Sequence, residues 1–340
     1  MIGIGVIGYG YWGPNLVRNF AETEGARVVG VCDRRPERLD LARRRYPGIQ
    51  VTADPDELIG SPIVDAVVVA TPVSTHYLLA NAALQAGKHV LIEKPMTATS
   101  DQSGRLIDLA GARGLTLMVD HTFVYAAAVR KIRELIQEGI LGELYYYDSV
   151  RINLGLFQHD VNVVWDLAVH DLSIMDFLLG REPTAISTTG MAHLPGEPEN
   201  VAYLTMFFDG PLIGHIHVNW LAPVKIRRTL VGGSRQMVVY DDLESSEGVR
   251  IYDKGVTHAP DPESVYQMLV GYRTGDMWAP RLAMTEALAV EARHFVECVG
   301  RGETPITNGE AGLRVVRMLE AATVSMNRRG LPVSLLTGAS

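Results

Sequence analysis

Six residues near the start of the chain, Gly8-Tyr-Gly10-Tyr-Trp-Gly13, constrain its fold more than any other feature. They follow a short β-branched run, Ile2–Ile7, and precede a stretch with apolar residues at helical spacing that opens with Pro14, where a first helical turn tolerates the missing N–H. A second apolar run, Val28–Cys32, ends at Asp33, 20 residues after Gly13. In such a strand–turn–helix unit the first glycine allows the tight turn and the second lets a ligand approach the backbone. The third allows close helix–strand packing, and the helix N–H groups face an anion lying over the turn. The pattern predicts a pyrophosphate site, with Tyr11 and Trp12 inside the turn. A strand-end acid such as Asp33 accepts from ribose hydroxyls and repels a 2′-phosphate, which predicts NAD; Arg34 and Arg35 beside it leave NADP open.

The same grammar continues. Ala66–Ala70, His89–Ile92 and Leu115–Val119 read as buried strands, alternating with helices over Pro36–Tyr46, Thr75–Ala86 and Ser100–Ala112. This alternation predicts a doubly wound parallel sheet over residues 1–122. From about residue 123 to 340 the pattern predicts an α+β block. Helices over Tyr125–Glu138 and Val164–Leu179 flank a strand, Leu144–Asn153. Strands Thr184–Gly190, Val201–Phe208, Ile213–Asn219, Ile226–Val231 and Gln236–Tyr240 then form a large open, mainly antiparallel sheet, and two helices follow, over Arg281–Val299 and Asn308–Asn327. Gly255–Ala279 shows the least regular pattern, fitting a loop over a site or a subunit contact. An open apolar sheet face predicts a homodimer or homotetramer.

Composition narrows the partners. Thirty-one basic against 39 acidic residues leave a net charge of −8, which gives no electrostatic basis for nucleic acid or an anionic membrane surface. Apolar runs are interrupted by Asp65 and Asp209 before they reach spanning length, and the N-terminus has no basic n-region, so a cytoplasmic location is expected. Two distant cysteines, Cys32 and Cys298, give no disulfide framework.

Chemistry-bearing residues cluster at strand ends. Thr71 and Pro72 end the third predicted strand beside the cofactor. His76, four residues on, is either a lining residue or a helix-end or core histidine. Glu93-Lys94-Pro95 closes the next strand at its carboxyl end, where open α/β sheets bind ligands. Lys94 there can point at a substrate hydroxyl, and a Lys–Pro bond can be cis; out of context it is a surface lysine. Asp166 and His170 lie four apart on one predicted helix face, a carboxylate–imidazole pair suited to proton transfer or merely to solvating that face. Asp171 adds a helix or surface charge. No third ligand at recognisable spacing supports a metal.

Taken together, GYGYWG, the strand-end Asp33, ATP at 70–72, EKP at 93–95 and WDLAVHD at 165–171 resemble the glucose–fructose oxidoreductase, inositol dehydrogenase and rhizopine-catabolism family. The resemblance implies that Lys94, Asp166 and His170 line a reactive hydroxyl. Family members usually begin this helix with glycines, whereas this chain has NVVWDLAVHD; the run RINLGLFQHDVNVVWDLAVHDLSIMDF looks more like the sugar 3-dehydrogenases of nucleotide-sugar and aminoglycoside pathways. The expected function is therefore NAD-dependent oxidation of a secondary hydroxyl, C3 of a sugar or amino sugar. A diphosphate-bearing substrate would draw on Arg151, Lys225, Arg227 and Arg228. A cationic amino sugar, such as an aminoglycoside intermediate of antibiotic biosynthesis, would draw on Asp148, Asp160, Asp166, Asp171, Tyr145–Tyr147 and Trp165, and the net charge favours the cation. An NADPH-dependent ketosugar reductase, a non-catalytic sensor and NAD-assisted hydrolysis are the rivals.

Overall fold

The computed structural model describes residues 1–155, 161–257 and 271–336. The chain forms two compact units. The first comprises Met1–Ala126 and Thr285–Glu320, the second Ala127–Met284 and Ala321–Ser340. A division at 122/123 therefore misplaces the segment Thr285–Glu320, which completes the first unit because its helix Ala287–Arg301 packs there. Phe295 meets Phe20 edge-on at 6.0 Å, and Glu286 pairs with Arg18 at 2.7 Å.

In the first unit, strands β1 (Ile2–Ile7), β2 (Ala26–Cys32), β3 (Gln50–Thr52), β4 (Ala66–Val69), β5 (His89–Glu93) and β6 (Leu117–Asp120) form one parallel sheet in the order β3-β2-β1-β4-β5-β6. Helices α1 (Gly13–Glu22), α2 (Pro36–Arg45), α3 (Pro55–Ile59), α4 (Val73–Gln85) and α5 (Ser100–Arg113) connect them. The central strands β1 and β4 are apolar along their whole length and buried, as a sheet covered on both faces requires. Strand order reverses between β1 and β4, which fixes the crevice at their carboxyl ends as the ligand position.

The second unit begins with α6 (Ala127–Gln137) and β7 (Leu144–Leu154). A π-helical turn, Val164–Ala168, runs directly into α7 (Val169–Leu179). Strands β8 (Ala185–Met191), β9 (Val201–Phe207), β10 (Ile213–Asn219), β11 (Leu221–Gly233), β12 (Met237–Asp241), β13 (Val249–Thr257), β14 (Gly271–Trp278) and β15 (Val333–Ser334) join β7 in a nine-stranded sheet, ordered β14-β13-β12-β11-β7-β10-β9-β8-β15. All pairings are antiparallel except β7 with β10. One face buries Tyr147, Ile216, Leu204, Val231 and Val238; the other leaves Tyr203, Phe207 and Ile213 exposed. The expected irregular stretch Gly255–Ala279 is corrected in part: β13 and β14 pair across it, while residues 258–270 lie outside the described residues. Among the described residues no helix is long and apolar enough to cross a membrane.

Candidate active site

The glycine turn is built as its spacing demands. Gly8 has φ +100°, and a Cβ there would overlap the Ala70 carbonyl, while a Cβ on Gly13 would overlap Gly8 O. Gly10 differs: a Cβ there would meet only Arg35 Nη2, at 3.3 Å, the far end of a long side chain and not the backbone, so its bareness answers less to the backbone's own packing than to room for a ligand. Helix α1 starts with no side-chain cap and no acid in its first turn, so its leading N–H groups suit an anion. Tyr11 is 90% exposed at the tip. Trp12 turns inward, its Nε1 donating to Asp120 Oδ2 at 2.8 Å.

Asp33 is buried at the end of β2. Its Oδ2 accepts from Tyr9 N at 2.8 Å and its Oδ1 from Arg35 N at 2.9 Å, and the Arg35 guanidinium grips both oxygens at 3.0 Å. Burial works against the charge, but the Arg35 guanidinium and the two N–H groups outweigh it and hold the carboxyl below its ordinary pKa. Asp33 is thus a fixed anion. Of the two neighbouring arginines, Arg35 engages it, whereas Arg34 is exposed. These residues fit a dinucleotide: an uncapped helix start, an open Gly10 and a strand-end carboxylate.

His76 is fully buried in α4, its Nδ1 2.9 Å from Pro95 O and its Nε2 2.7 Å from Thr71 O. Burial pulls its pKa down against the pull of those carbonyls, so the ring ties the turn after β4 to the turn after β5 as a brace. Thr71 also accepts from Thr75 Oγ1 at 2.7 Å, and Pro72 is exposed. The Lys94–Pro95 bond is cis, and Glu93 and Lys94 are half-buried. Beside them lies His121, fully buried, whose pKa is pushed down to about 3 by desolvation and then by the Lys94 charge.

In the second unit, Asp166 sits in the π-helical turn and His170 is the second residue of α7. The uniform helix expected over Val164–Leu179 is thus corrected: a single wide turn precedes the α-helix, a device common at functional positions. Asn162 opens it, its Oδ1 accepting from Val164 N and Trp165 N, both at 3.2 Å. Trp220 Nε1 donates to Asp166 Oδ2 at 3.1 Å, fixing that carboxylate from β10's end, while His170 is half-buried. Asp171 is not a surface charge. Its carboxylate takes Arg151 Nε at 2.7 Å and Ser149 Oγ at 2.6 Å inside the core.

Both electrostatic sets shrink accordingly. Arg151 is engaged by Asp171, Arg227 by Asp242 at 3.1 Å and Arg228 by Asp241 at 2.8 Å. Tyr147 donates to Asp171 O, and Trp165 Nε1 donates to Thr323 Oγ1 at 2.9 Å. Asp160 lies outside the described residues. Among the described residues no group of three His, Cys, Asp or Glu side chains is placed to hold a metal ion. Sequence reasoning missed Asp120, His121 and Glu291. The legible signals were a third strand-end acid at Asp120 and an acid on the apolar stripe Leu288, Glu291, Ala292, Phe295.

A glycine turn over an uncapped helix with a fixed acid at the second strand defines a dinucleotide-binding unit. Residues 2–121 match the oxidoreductase family with NAD-binding Rossmann fold, and residues 129–239 match the GFO/IDH/MocA C-terminal domain. The chain belongs to the GFO/IDH/MocA family of oxidoreductases, whose first domain is an NAD-binding Rossmann fold and whose members include NADP-using enzymes. It is 28% identical to UDP-N-acetylglucosamine 3-dehydrogenase of Acidithiobacillus ferrooxidans over 92% of this chain and 93% of that one. It is 26% identical to scyllo-inositol 2-dehydrogenase (NAD(+)) of Bacillus subtilis over 98% and 95%. A solved structure of the Acidithiobacillus enzyme superposes with a TM-score of 0.81, at 26% identity, over 96% of this chain and 99% of that chain.

Proposed function

We propose that the chain is an NAD-dependent dehydrogenase that oxidises a secondary hydroxyl, at C3, of a sugar. The observation that carries the reading is Asp166 fixed by Trp220 in a π turn, with His170 four residues on in the same helical element. Bound NAD supplies the hydride acceptor. His170 accepts the hydroxyl proton, a task matched to an imidazole near neutral pH. Lys94 hydrogen-bonds the same oxygen and stabilises the developing alkoxide. Asp166 holds ring hydroxyls in register, its orientation set by the Trp220 indole.

Two sugar classes compete. The charge argument for a cationic amino sugar, including an aminoglycoside intermediate, retains the net charge of −8, Asp148 and Asp166 but loses Asp171, Tyr147 and Trp165 to internal partners. A nucleotide sugar is favoured by the likeness, over nearly the full chain, to a relative named for UDP-N-acetylglucosamine. The test is a substrate screen followed at the NADH absorbance, with nucleotide sugars, free sugars, inositols and aminoglycosides side by side. NAD reduction by at least one sugar hydroxyl is expected. Reduction of a ketosugar with NADPH alone, or no redox turnover with any member, overturns the reading.

A further inference from the structure

Glu291 lies in the helix Ala287–Arg301, which completes the first unit, and is fully buried. Among the described residues neither of its oxygens has a partner at hydrogen-bond geometry; the Thr122 hydroxyl lies close and acts to lower its pKa, but its proton is given to Asp120 Oδ1. A bare buried carboxylate costs several kcal/mol, so such a group takes up a proton instead. The groups that act on it most strongly are Asp120 and Glu93, both acids, with Thr122 and Tyr125 beside them. Burial first and these carboxylates second drive its pKa well above the ordinary value.

Asp120 is the opposite case. Its Oδ2 accepts from Trp12 Nε1 at 2.8 Å and its Oδ1 from the Thr122 hydroxyl, the donor set of a satisfied anion. Trp12 stands between Gly10 and Gly13 at the start of α1. We infer that Glu291 is a neutral carboxylic acid whose O–H donates to Asp120, and that this bond fixes the Trp12 indole and with it the glycine turn. Glu291 is therefore a positioning residue acting through Asp120, an inference that rests on the assignment of the turn to NAD. The proton stays on Glu291, and no group is transferred.

The experiment pairs two readouts. Infrared difference spectroscopy of ligand-free wild type against Glu291→Gln at pH 8 should show the carbonyl stretch of one protonated carboxylic acid, shifted in D2O. NAD binding by calorimetry should be within about twofold of wild type for Glu291→Gln, whose carboxamide N–H can donate to Asp120, and weakened about tenfold for Glu291→Met, the order of one lost charge-assisted hydrogen bond. Adding Asp120→Asn to Glu291→Met should weaken binding no further than Asp120→Asn alone. Absence of the carbonyl band overturns the inference, including where Glu291→Met fails to fold. So does a folded Glu291→Met with wild-type affinity. Wild-type protein that bound no NAD would instead overturn the assignment of the turn, leaving the infrared result to decide the protonation state.

Discussion

Asp171 tests whether the helix that carries His170 is anchored by charge. Its carboxylate and the Arg151 guanidinium are 2% and 6% exposed, joined at 2.7 Å, with Ser149 completing the carboxylate's partners. Asp171→Asn preserves shape but leaves a buried cation facing a neutral amide. Breaking a buried pair in this way costs about 3–5 kcal/mol. Asp242 also acts on Arg151, which places the expected loss at the low end, about 3 kcal/mol. For a unit of this size each kcal/mol moves Tm by about 2–4 °C, so a fall of roughly 6–12 °C is expected. Urea unfolding followed by circular dichroism should show the loss as a lower midpoint at unchanged slope. The double variant Arg151→Met with Asp171→Leu should recover most of it, because an apolar pair of similar volume removes both desolvation costs. An Asp171→Asn protein less than about 1 kcal/mol below wild type, the scale of a surface pair, would refute the reasoning.

Three other outcomes follow from the site. Lys94→Ala and His170→Ala should each lower kcat by about 10² or more while NAD affinity persists; near-wild-type turnover by either would remove its assigned role. Wild type should show higher kcat/KM with NAD than with NADP, and Asp33→Ser should narrow the gap mainly through the NADP KM; a wild-type preference for NADP would show that Arg34 or Arg35 rather than Asp33 sets the choice. His121 has a folded pKa near 3 and an unfolded one near 6.5, so the unfolded state binds more protons between them and stability falls as pH drops through that window. Its share is about 1.4 kcal/mol per pH unit, and His121→Asn should reduce the measured slope between pH 6 and 4 by that amount.

The first unit was largely legible because its signals are local. The glycine turn, the buried β-branched runs and Asp33 each speak within a few residues; the short β3 and α3, the 3-10 turn Thr122–Tyr125 and the membership of Thr285–Glu320 escaped. The second sheet was harder. Strand β11 runs from Leu221, beyond the expected Ile226–Val231, because a register shift between Leu221 and Ile226 accommodates Pro223. Strand β14, GYRTGDMW, has few β-branched residues and takes its conformation from pairing with β13. At the site, Lys94, Asp166 and His170 were readable as residue types. Their supports were not: Arg151 meets Asp171 across 20 residues, Trp220 meets Asp166 across 54, and Asp120 meets Trp12 across 108. Long-range partners leave no periodic trace in a sequence.

The first unit is interrupted in sequence: Met1–Ala126 must wait for Thr285–Glu320. At ordinary translation rates of about 5–20 residues per second, the intervening stretch delays that segment by roughly ten to thirty seconds on the ribosome. Until then Phe20 lacks Phe295, Tyr125 lacks Thr307, and Asp120 lacks the helix that brings Glu291. A nascent chain can therefore lay down the parallel sheet early yet cannot finish the floor beneath its glycine turn. Nucleotide capture during synthesis is then a late event, and chains released before Thr285 would expose an apolar seam suited to chaperone binding.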